Sequence, residues 1–121
     1  METLKREMPR PKVLGDKKAR IGFVSWGSNK GSVLEAQKIL REEGIRTKFL
    51  HLNFLNPFPA GSAIDFLKSC QKVLLVEQNF TGQLGGLIRE KTGINIKDRF
   101  LKYDGRPILP EEIVKKMKKI L

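Results

Sequence analysis

Residues 72–93 read KVLLVEQNFTGQLGGLIREKTG, and this stretch contains the alternation that decides the fold. Its first part, KVLLVEQN, is a strongly apolar run typical of a strand that is buried on both faces of a sheet. Its second part, GQLGGLIREKTG, is predicted to be a helix that ends at Gly93. A buried strand followed directly by a helix is the repeating unit of a parallel α/β sheet.

The same unit recurs on both sides of this stretch. Predicted strands are ARIGFVSWG (19–27), IRTKFLHLN (45–53), KVLLVEQN (72–79) and the more polar IKDRFLKY (96–103). Predicted helices are SVLEAQKILREEG (32–44), a segment from Pro59 to Cys70, GQLGGLIREKTG (82–93) and PEEIVKKMKKIL (110–121). The pattern predicts a three-layer α/β fold with a mostly parallel sheet of four or five strands and helices on both faces, and an antiparallel edge strand stays open.

The chain divides into two parts. Residues 1–18 carry Pro9 and Pro11 without sustained periodicity and are predicted to be a linker or tail, and 19–121 form the domain. The strand 96–103 is expected at an edge of the sheet because its alternation is weak. In the first helix, Ser32 is predicted to be the N-cap, with Glu35 as its capping-box partner.

The charge balance indicates a partner class without identifying one. The formal net charge is +11, with 24 Lys and Arg against 13 Asp and Glu. Such an excess attracts nucleic acid, an anionic membrane surface or an acidic protein, and it is equally typical of the lysine enrichment of thermophile proteins. The aromatic residues fall within apolar patterns and are not interleaved with basic residues, which makes nucleic acid an unlikely partner.

Several other sequence features limit location and chemistry. The N-terminus is charged and lacks the apolar core of a secretory signal, and no apolar run approaches the roughly 18 residues of a membrane span. Cys70 is the single cysteine, which fits a reducing cytoplasm and cannot form an internal disulfide. His51 is the single histidine, with no cluster of metal ligands or triad partners beside it in the sequence, and it is interpreted as a packed residue.

The glycine-containing turn WGSNKGS (26–32) suggests a phosphate loop but does not match one. Counted from Gly27, the Walker A pattern requires Gly and Lys where the chain has Ser32 and Val33. The dinucleotide pattern requires glycine where it has Asn29 and Ser32. A tight strand-to-helix turn is therefore favoured over an anion site.

The stretch EQNFTGQLGG (77–86) is better interpreted as a docking rim. Gly82, Gly85 and Gly86 place three positions without Cβ near the start of a helix. Each interior glycine costs roughly 0.5–1 kcal/mol relative to alanine, and such positions are often retained where another backbone approaches closely. Glu77 and Gln83 would supply hydrogen bonds to the docked surface. The interface candidates all lie at predicted strand ends: Ser28, Asn29, Lys30, Asn56, Phe58, Glu77, Asn79, Gln83, Tyr103, Asp104 and Arg106.

Four stretches carry a resemblance to a known family: VLGDKKARIGFVSWGSNKGSVLEAQKILREEGI, LHLNFLNPFPA, VLLVEQNFTGQLGGLIREKTGI and LKYDGRPILPEEI. In this order they resemble the last domain of the alpha subunit of 2-oxoacid:ferredoxin oxidoreductases, which has the transketolase C-terminal fold. The resemblance covers residues 13–113. Asn29, where the family more often has Thr, and the stretch PILP depart from its usual pattern.

The resemblance implies a structural and subunit-docking domain. The whole enzyme would oxidatively decarboxylate 2-oxo acids to acyl-coenzyme A and reduce ferredoxin, using thiamine diphosphate, Mg and an iron–sulfur cluster. These groups and coenzyme A would be held outside this chain, so we expect it to have no catalytic, cofactor-binding or metal-binding residues and to be inactive when isolated. Partners would be the other domain of the alpha subunit, which 1–18 would join, the thiamine-binding beta subunit and further subunits.

Two other functions stay open at this point. The basic charge is compatible with a nucleic-acid-binding module, and the turn at 27–32 with a nucleotide-binding one. An apolar patch left uncovered on the isolated domain would favour self-association.

Overall fold

The computed structural model describes residues 11–26, 29–52, 59–77, 83–102 and 107–121. In chain order, the elements are β1 (Lys12–Gly15), β2 (Ile21–Trp26), α1 (Lys30–Glu42), β3 (Lys48–Leu52), α2 (Ala60–Lys68), β4 (Lys72–Glu77), α3 (Gln83–Thr92), β5 (Asp98–Leu101) and α4 (Pro110–Ile120). The predicted strands and helices are all confirmed, with shorter bounds in most cases.

The strands form one sheet in the order β1-β3-β2-β4-β5. β2 pairs in parallel with both β3 and β4, and β5 pairs in parallel with β4. A helix connects each parallel strand to the next one along the chain, because parallel strands cannot be linked by a hairpin. The mostly parallel sheet and the edge position of the strand near 96–103 are confirmed.

β1 corrects the expectation for residues 1–18. Lys12–Gly15 pairs antiparallel with β3 and forms an edge of the sheet, so this part of the segment belongs to the folded domain. Val13 packs on one face of the sheet and Leu14 on the other. This strand has only four residues and one apolar side chain for each face, so it shows no periodicity in the sequence. It forms a strand because it pairs with β3.

Two apolar cores lie on opposite faces of the sheet. One contains Phe23 of β2 and packs under α1 and α4. The other contains Val24 and packs under α2 and α3. Adjacent residues of β2 thus serve opposite cores, since successive side chains of a strand point to opposite faces. This is the three-layer arrangement that the near-continuous apolar strands predicted.

The capping prediction for the first helix is wrong. α1 begins at Lys30, with Asn29 as its N-cap residue, and no side-chain hydrogen bond caps it. Ser32 lies inside the helix, where its Oγ donates a hydrogen bond of 2.7 Å to the carbonyl oxygen of Ile108. Ser32 therefore ties α1 to the segment that leads into α4, a partner 76 residues away that no local pattern indicates.

Candidate functional site

The four parallel strands end at one side of the domain, which we call the carboxyl edge. β2 lies between β3 and β4, and the connections from β2 and β4 run in opposite directions along the sheet. α1 therefore starts on one face and α3 on the other, from the neighbouring strands β2 and β4. In open α/β sheets, such a reversal of strand order opens the crevice where ligands and partners bind.

Glu77 ends β4 at this crevice and is completely buried. Its Oε1 accepts a hydrogen bond of 2.7 Å from the backbone N–H of Leu84, in the first turn of α3. A carboxylate is favourable there because the amide groups of a helix N-terminus lack helical partners and carry partial positive charge. Oε2 has no hydrogen-bond partner among the described residues. Glu77 thus holds α3 onto β4 from within the chain.

Asn29 and Lys30 lie at the same edge, at the start of α1. Asn29 is buried and Lys30 is exposed, so Lys30 is available to a partner at this edge. Gln83 is the first residue of α3, and its side chain is outside the description. The remaining interface candidates lie outside the described residues: Ser28, Asn56, Phe58, Asn79, Tyr103, Asp104 and Arg106. Their role stays a prediction.

Two glycines in α3 have different surroundings. A Cβ on Gly85 would lie 2.8 Å from Cζ of Arg99, whose guanidinium therefore rests on the helix where the side chain is missing. Arg99 is held there by hydrogen bonds to the carbonyl oxygen of Ile96, at 2.9 Å, and to Oδ1 of Asn95, at 3.0 Å. Gly86 is exposed, and outside the backbone of its own helix no described residue has an atom within 4 Å of a Cβ position. The space beside Gly85 is therefore occupied by Arg99 of the same chain, whereas the space beside Gly86 is free for an approaching surface.

A polar network behind this edge was not indicated by the sequence analysis. Lys102 Nζ donates hydrogen bonds to Glu112 Oε1, at 2.7 Å, and to the carbonyl oxygen of Pro107, at 3.1 Å. Glu112 Oε1 also accepts the backbone N–H of Leu109, at 3.0 Å, which caps α4. Nothing in the sequence pairs the acidic first turn of α4 with Lys102.

The described residues hold no group of three or more His, Cys, Asp and Glu side chains that could bind a metal ion. His51 is buried in β3 and makes an edge-to-face contact with Phe49, with ring centroids 5.6 Å apart. Its interpretation as a packed residue is confirmed. No helix in the described ranges has the length and apolar character needed to span a membrane.

Cys70 follows α2, far from the carboxyl edge, and its thiol is partly buried. Burial raises the pKa of the Cys70 thiol above its ordinary value, while the Lys48 ammonium and a hydrogen bond with Ser69 act in the opposite direction. Lys48 is itself buried; its Nζ donates to Ser69 Oγ and lies 5.1 Å from the centre of the Phe66 ring. The cluster fits structural burial, because a reactive thiol requires a lowered pKa.

We expect Cys70 to react with iodoacetamide at least about tenfold more slowly in the folded chain than in the urea-unfolded chain at pH 8, because less thiolate is present and access is restricted. Mass spectrometry of quenched samples measures both rates. Since the folded chain holds the thiol proton more tightly, the free energy of unfolding should fall as pH rises past the ordinary thiol pKa. Equal alkylation rates would contradict the burial of this group.

Comparison with known proteins connects this geometry to a family. Residues 19–113 match the model of pyruvate:ferredoxin oxidoreductase core domain II. The chain is 40% identical over 107 residues to 2-oxoacid:ferredoxin oxidoreductase 2, subunit alpha, of Aeropyrum pernix, an alignment that covers 88% of this chain and 17% of that protein. The chain therefore spans less than a fifth of the length of this curated relative.

Solved structures give the same result. A 2-oxoglutarate:ferredoxin oxidoreductase of Magnetococcus marinus, with 2-oxoglutarate, coenzyme A and succinyl-CoA bound, superposes with a TM-score of 0.87 at 33% identity over 98% of this chain and 21% of its own. The alpha chain of a probable 2-oxoacid ferredoxin oxidoreductase of Thermoplasma acidophilum gives 0.65 at 41% identity, covering 92% of this chain and 96% of its own.

A split-gene transketolase, solved as an inactive beta4 tetramer, gives a TM-score of 0.74 at 21% identity, covering 91% of this chain and 40% of its own, and shows the shared fold alone. The resemblance of the four sequence stretches is thereby confirmed, as is the transketolase-like fold. With the family model matched from residue 19 to residue 113, the chain belongs to the family of pyruvate:ferredoxin oxidoreductase core domain II.

Proposed function

We propose that this chain is a structural and subunit-docking domain of a 2-oxoacid:ferredoxin oxidoreductase alpha subunit. The observation that carries the proposal is the family match over 19–113. The described carboxyl edge is consistent with it, because the helix surface at Gly86 is uncovered. The nucleic-acid and nucleotide alternatives have no comparable support. Family membership favours the docking function over both.

The chemistry of the whole enzyme is part of this proposal. The enzyme would decarboxylate 2-oxo acids oxidatively, form acyl-coenzyme A and reduce ferredoxin, and it would use thiamine diphosphate, Mg and an iron–sulfur cluster. The residues of this chain do not fit the cluster, because such clusters are held by several cysteine thiolates and the sequence contains Cys70 alone. Other domains and subunits would hold these groups, and we derive no reaction step on this chain. A cytoplasmic location, which the single cysteine supports, belongs to the same proposal.

The docking surface would consist of the carboxyl edge beside β4 and α3. Gly86 offers an uncovered stretch of helix, and Lys30 an exposed cation, at the ends of neighbouring strands. Glu77 would act as an internal support that fixes the start of α3, because it is buried and bonded to Leu84. The partners would be the thiamine-binding beta subunit and the other domain of the alpha subunit.

Replacing Gly86 by alanine should raise the free energy of unfolding of the isolated chain by about 0.5–1 kcal/mol, because alanine restricts the unfolded chain and favours the helix. Its new methyl group meets no atom of the described residues outside the backbone of its own helix. Urea unfolding followed by circular dichroism measures the change. A loss of stability would mean that the surroundings of Gly86 are closed in the isolated chain.

The assembly test places a large side chain at the same position. We expect Gly86→Trp to weaken binding to the purified beta subunit of the same oxidoreductase by at least about tenfold, because the ring would fill the space left for the partner. Glu42→Trp, an exposed position in the last turn of α1, is the matched control and should bind as the unaltered chain does. Sedimentation of the mixed proteins gives the affinities.

The proposal fails if the unaltered chain does not bind the beta subunit, or if Gly86→Trp binds as well as Glu42→Trp. Viologen reduction with 2-oxo acids and coenzyme A provides the second readout. We expect no activity from the isolated chain, and activity when the remaining parts of the enzyme are added. Turnover by the isolated chain would contradict a purely structural role.

A further inference from the structure

The positive charge of the domain is concentrated at the side opposite the carboxyl edge. Because β2 to β5 are parallel and each helix runs back between them, strand starts and helix ends share this side, which we call the amino edge. It comprises residues 16–20, 41–46, 68–72, 89–98 and 118–121. These segments contain twelve Lys and Arg against five Asp and Glu, and all twelve cationic residues are exposed.

The favourable effect of cations at helix C-termini accounts for only half of the twelve cationic residues at the amino edge. Lys and Arg in the last turn of a helix interact favourably with its dipole, and all four helices carry such residues. Six further cations stand in loops or at strand starts, among them Lys17, Lys18 and Arg20. Among the twelve, ion pairs within the described residues join only Arg46 to Asp16, at 3.4 Å, and Lys118 to Glu43. Most of the charge at this edge is therefore uncompensated.

A cleft of about 740 Å³ adjoins the amino edge, between α1 and the junction of β1 with β3. Cationic side chains of Lys38, Arg41 and Arg46 line it together with Leu34, and so does Asp16, which pairs with Arg46. Leu34 is 38% exposed, although its neighbours Val33 and Ala36 are buried in the core. The cleft thus offers an uncovered apolar side chain beside three cations and one carboxylate.

We propose that the amino edge is a docking surface for an acidic protein segment that places carboxylates on the exposed cations and one apolar side chain over Leu34. A polynucleotide fits less well. Its phosphates are continuous and would meet the five acidic residues and the carbonyl ends of four helices, while separate carboxylates can avoid them. The surface lies on the opposite side from the carboxyl edge, so binding there is independent of the proposed docking function.

The test uses a fluorescein-labelled peptide of alternating Glu and Leu, and fluorescence anisotropy with the full chain. Reversing the charge of Lys17, Lys18 and Arg20 to Glu together should weaken binding about tenfold at about 50 mM salt, because the cations that attract the peptide are lost. The control reverses Lys12, Lys115 and Lys116, which lie outside the amino edge, and gives the same net charge. This control should change the affinity less than about twofold.

Leu34→Ser tests the cleft itself. In the unaltered chain the Glu–Leu peptide should bind more tightly than a Glu–Ser peptide, and Leu34→Ser should remove that preference. Equal weakening by the two charge-reversed variants would overturn the proposal, since attraction would then depend on net charge alone. Tighter binding of single-stranded DNA of equal charge would overturn it in favour of nucleic acid. Circular dichroism of every variant verifies the fold. The double variant Lys72→Glu with Lys97→Glu is a second charge reversal at the amino edge.

Discussion

Replacing Gly15 by alanine should lower the free energy of unfolding by about 3 kcal/mol, through backbone strain and overpacking together. Gly15 has a φ of +96°, a region that L side chains rarely adopt. A Cβ there would lie 2.6 Å from the carbonyl oxygen of Thr47 and 2.6 Å from Nε2 of Gln37. Gln37 Nε2 donates to the carbonyl oxygens of Leu14, at 3.2 Å, and Thr47, at 3.4 Å, so the methyl group would break the junction of β1 with β3.

Gly44→Ala separates strain from overpacking. Gly44 has a φ of +85°, but apart from its two chain neighbours no described residue has an atom within 4 Å of a Cβ position. Its replacement should therefore cost only the strain of the left-handed conformation, about 1 kcal/mol. Urea unfolding of both variants gives the difference. If the two variants lose equal stability, the close approach of Thr47 and Gln37 to Gly15 contributes nothing.

Phe23→Ala should lower the free energy of unfolding by about 3–5 kcal/mol, the range for truncating a buried aromatic side chain. Phe23 is fully buried in β2, the central strand, where it packs with residues of α1 and α4 such as Leu40 and Ile113. Truncation would leave a cavity between the sheet and both helices. Since small domains are stable by only about 5–15 kcal/mol, this variant should be partly unfolded in mild urea.

Leu34→Ala is the control for Phe23→Ala. Leu34 lies on α1 like residues of the same core, but it is partly exposed at 38%. Its truncation should cost less than about 1 kcal/mol, because little apolar surface is returned to water. Chemical denaturation of the two variants measures both costs. Comparable losses would show that the core is not organised around Phe23.

The sequence predicted the position of the candidate site in the fold but not the burial and contacts of its residues. The alternation of strands and helices placed Glu77 and Lys30 at the ends of strands, and the structure has Glu77 as the last residue of β4 and Lys30 as the first residue of α1. Sequence reasoning assigned Glu77 to the docking rim, as a group that would supply hydrogen bonds to the docked surface. Its burial depends on the first turn of α3 lying beside the end of β4, where the N–H of Leu84 meets Oε1.

At the glycine-rich start of α3, too, the sequence predicted one part of the arrangement and only the structure shows the rest. The sequence showed that Gly85 and Gly86 weaken the helix, which indicated a close approach by another group. It could not show that the group at Gly85 is Arg99 of β5, because the two positions become neighbours only when β5 pairs with β4. Gly86 keeps the uncovered surface that the docking prediction requires.

The sequence by itself determined the order of elements from β2 to α4, the parallel sheet and the two apolar cores. Each of these follows from periodicity within a few residues, such as the unbroken apolar run of β4. Only the tertiary structure decided that Lys12–Gly15 is a strand, that Ser32 bonds to Ile108, and that positive charge gathers at the amino edge. These features join residues that are distant along the chain, and chain folding alone brings such residues within the few ångströms over which hydrogen bonds and packing act.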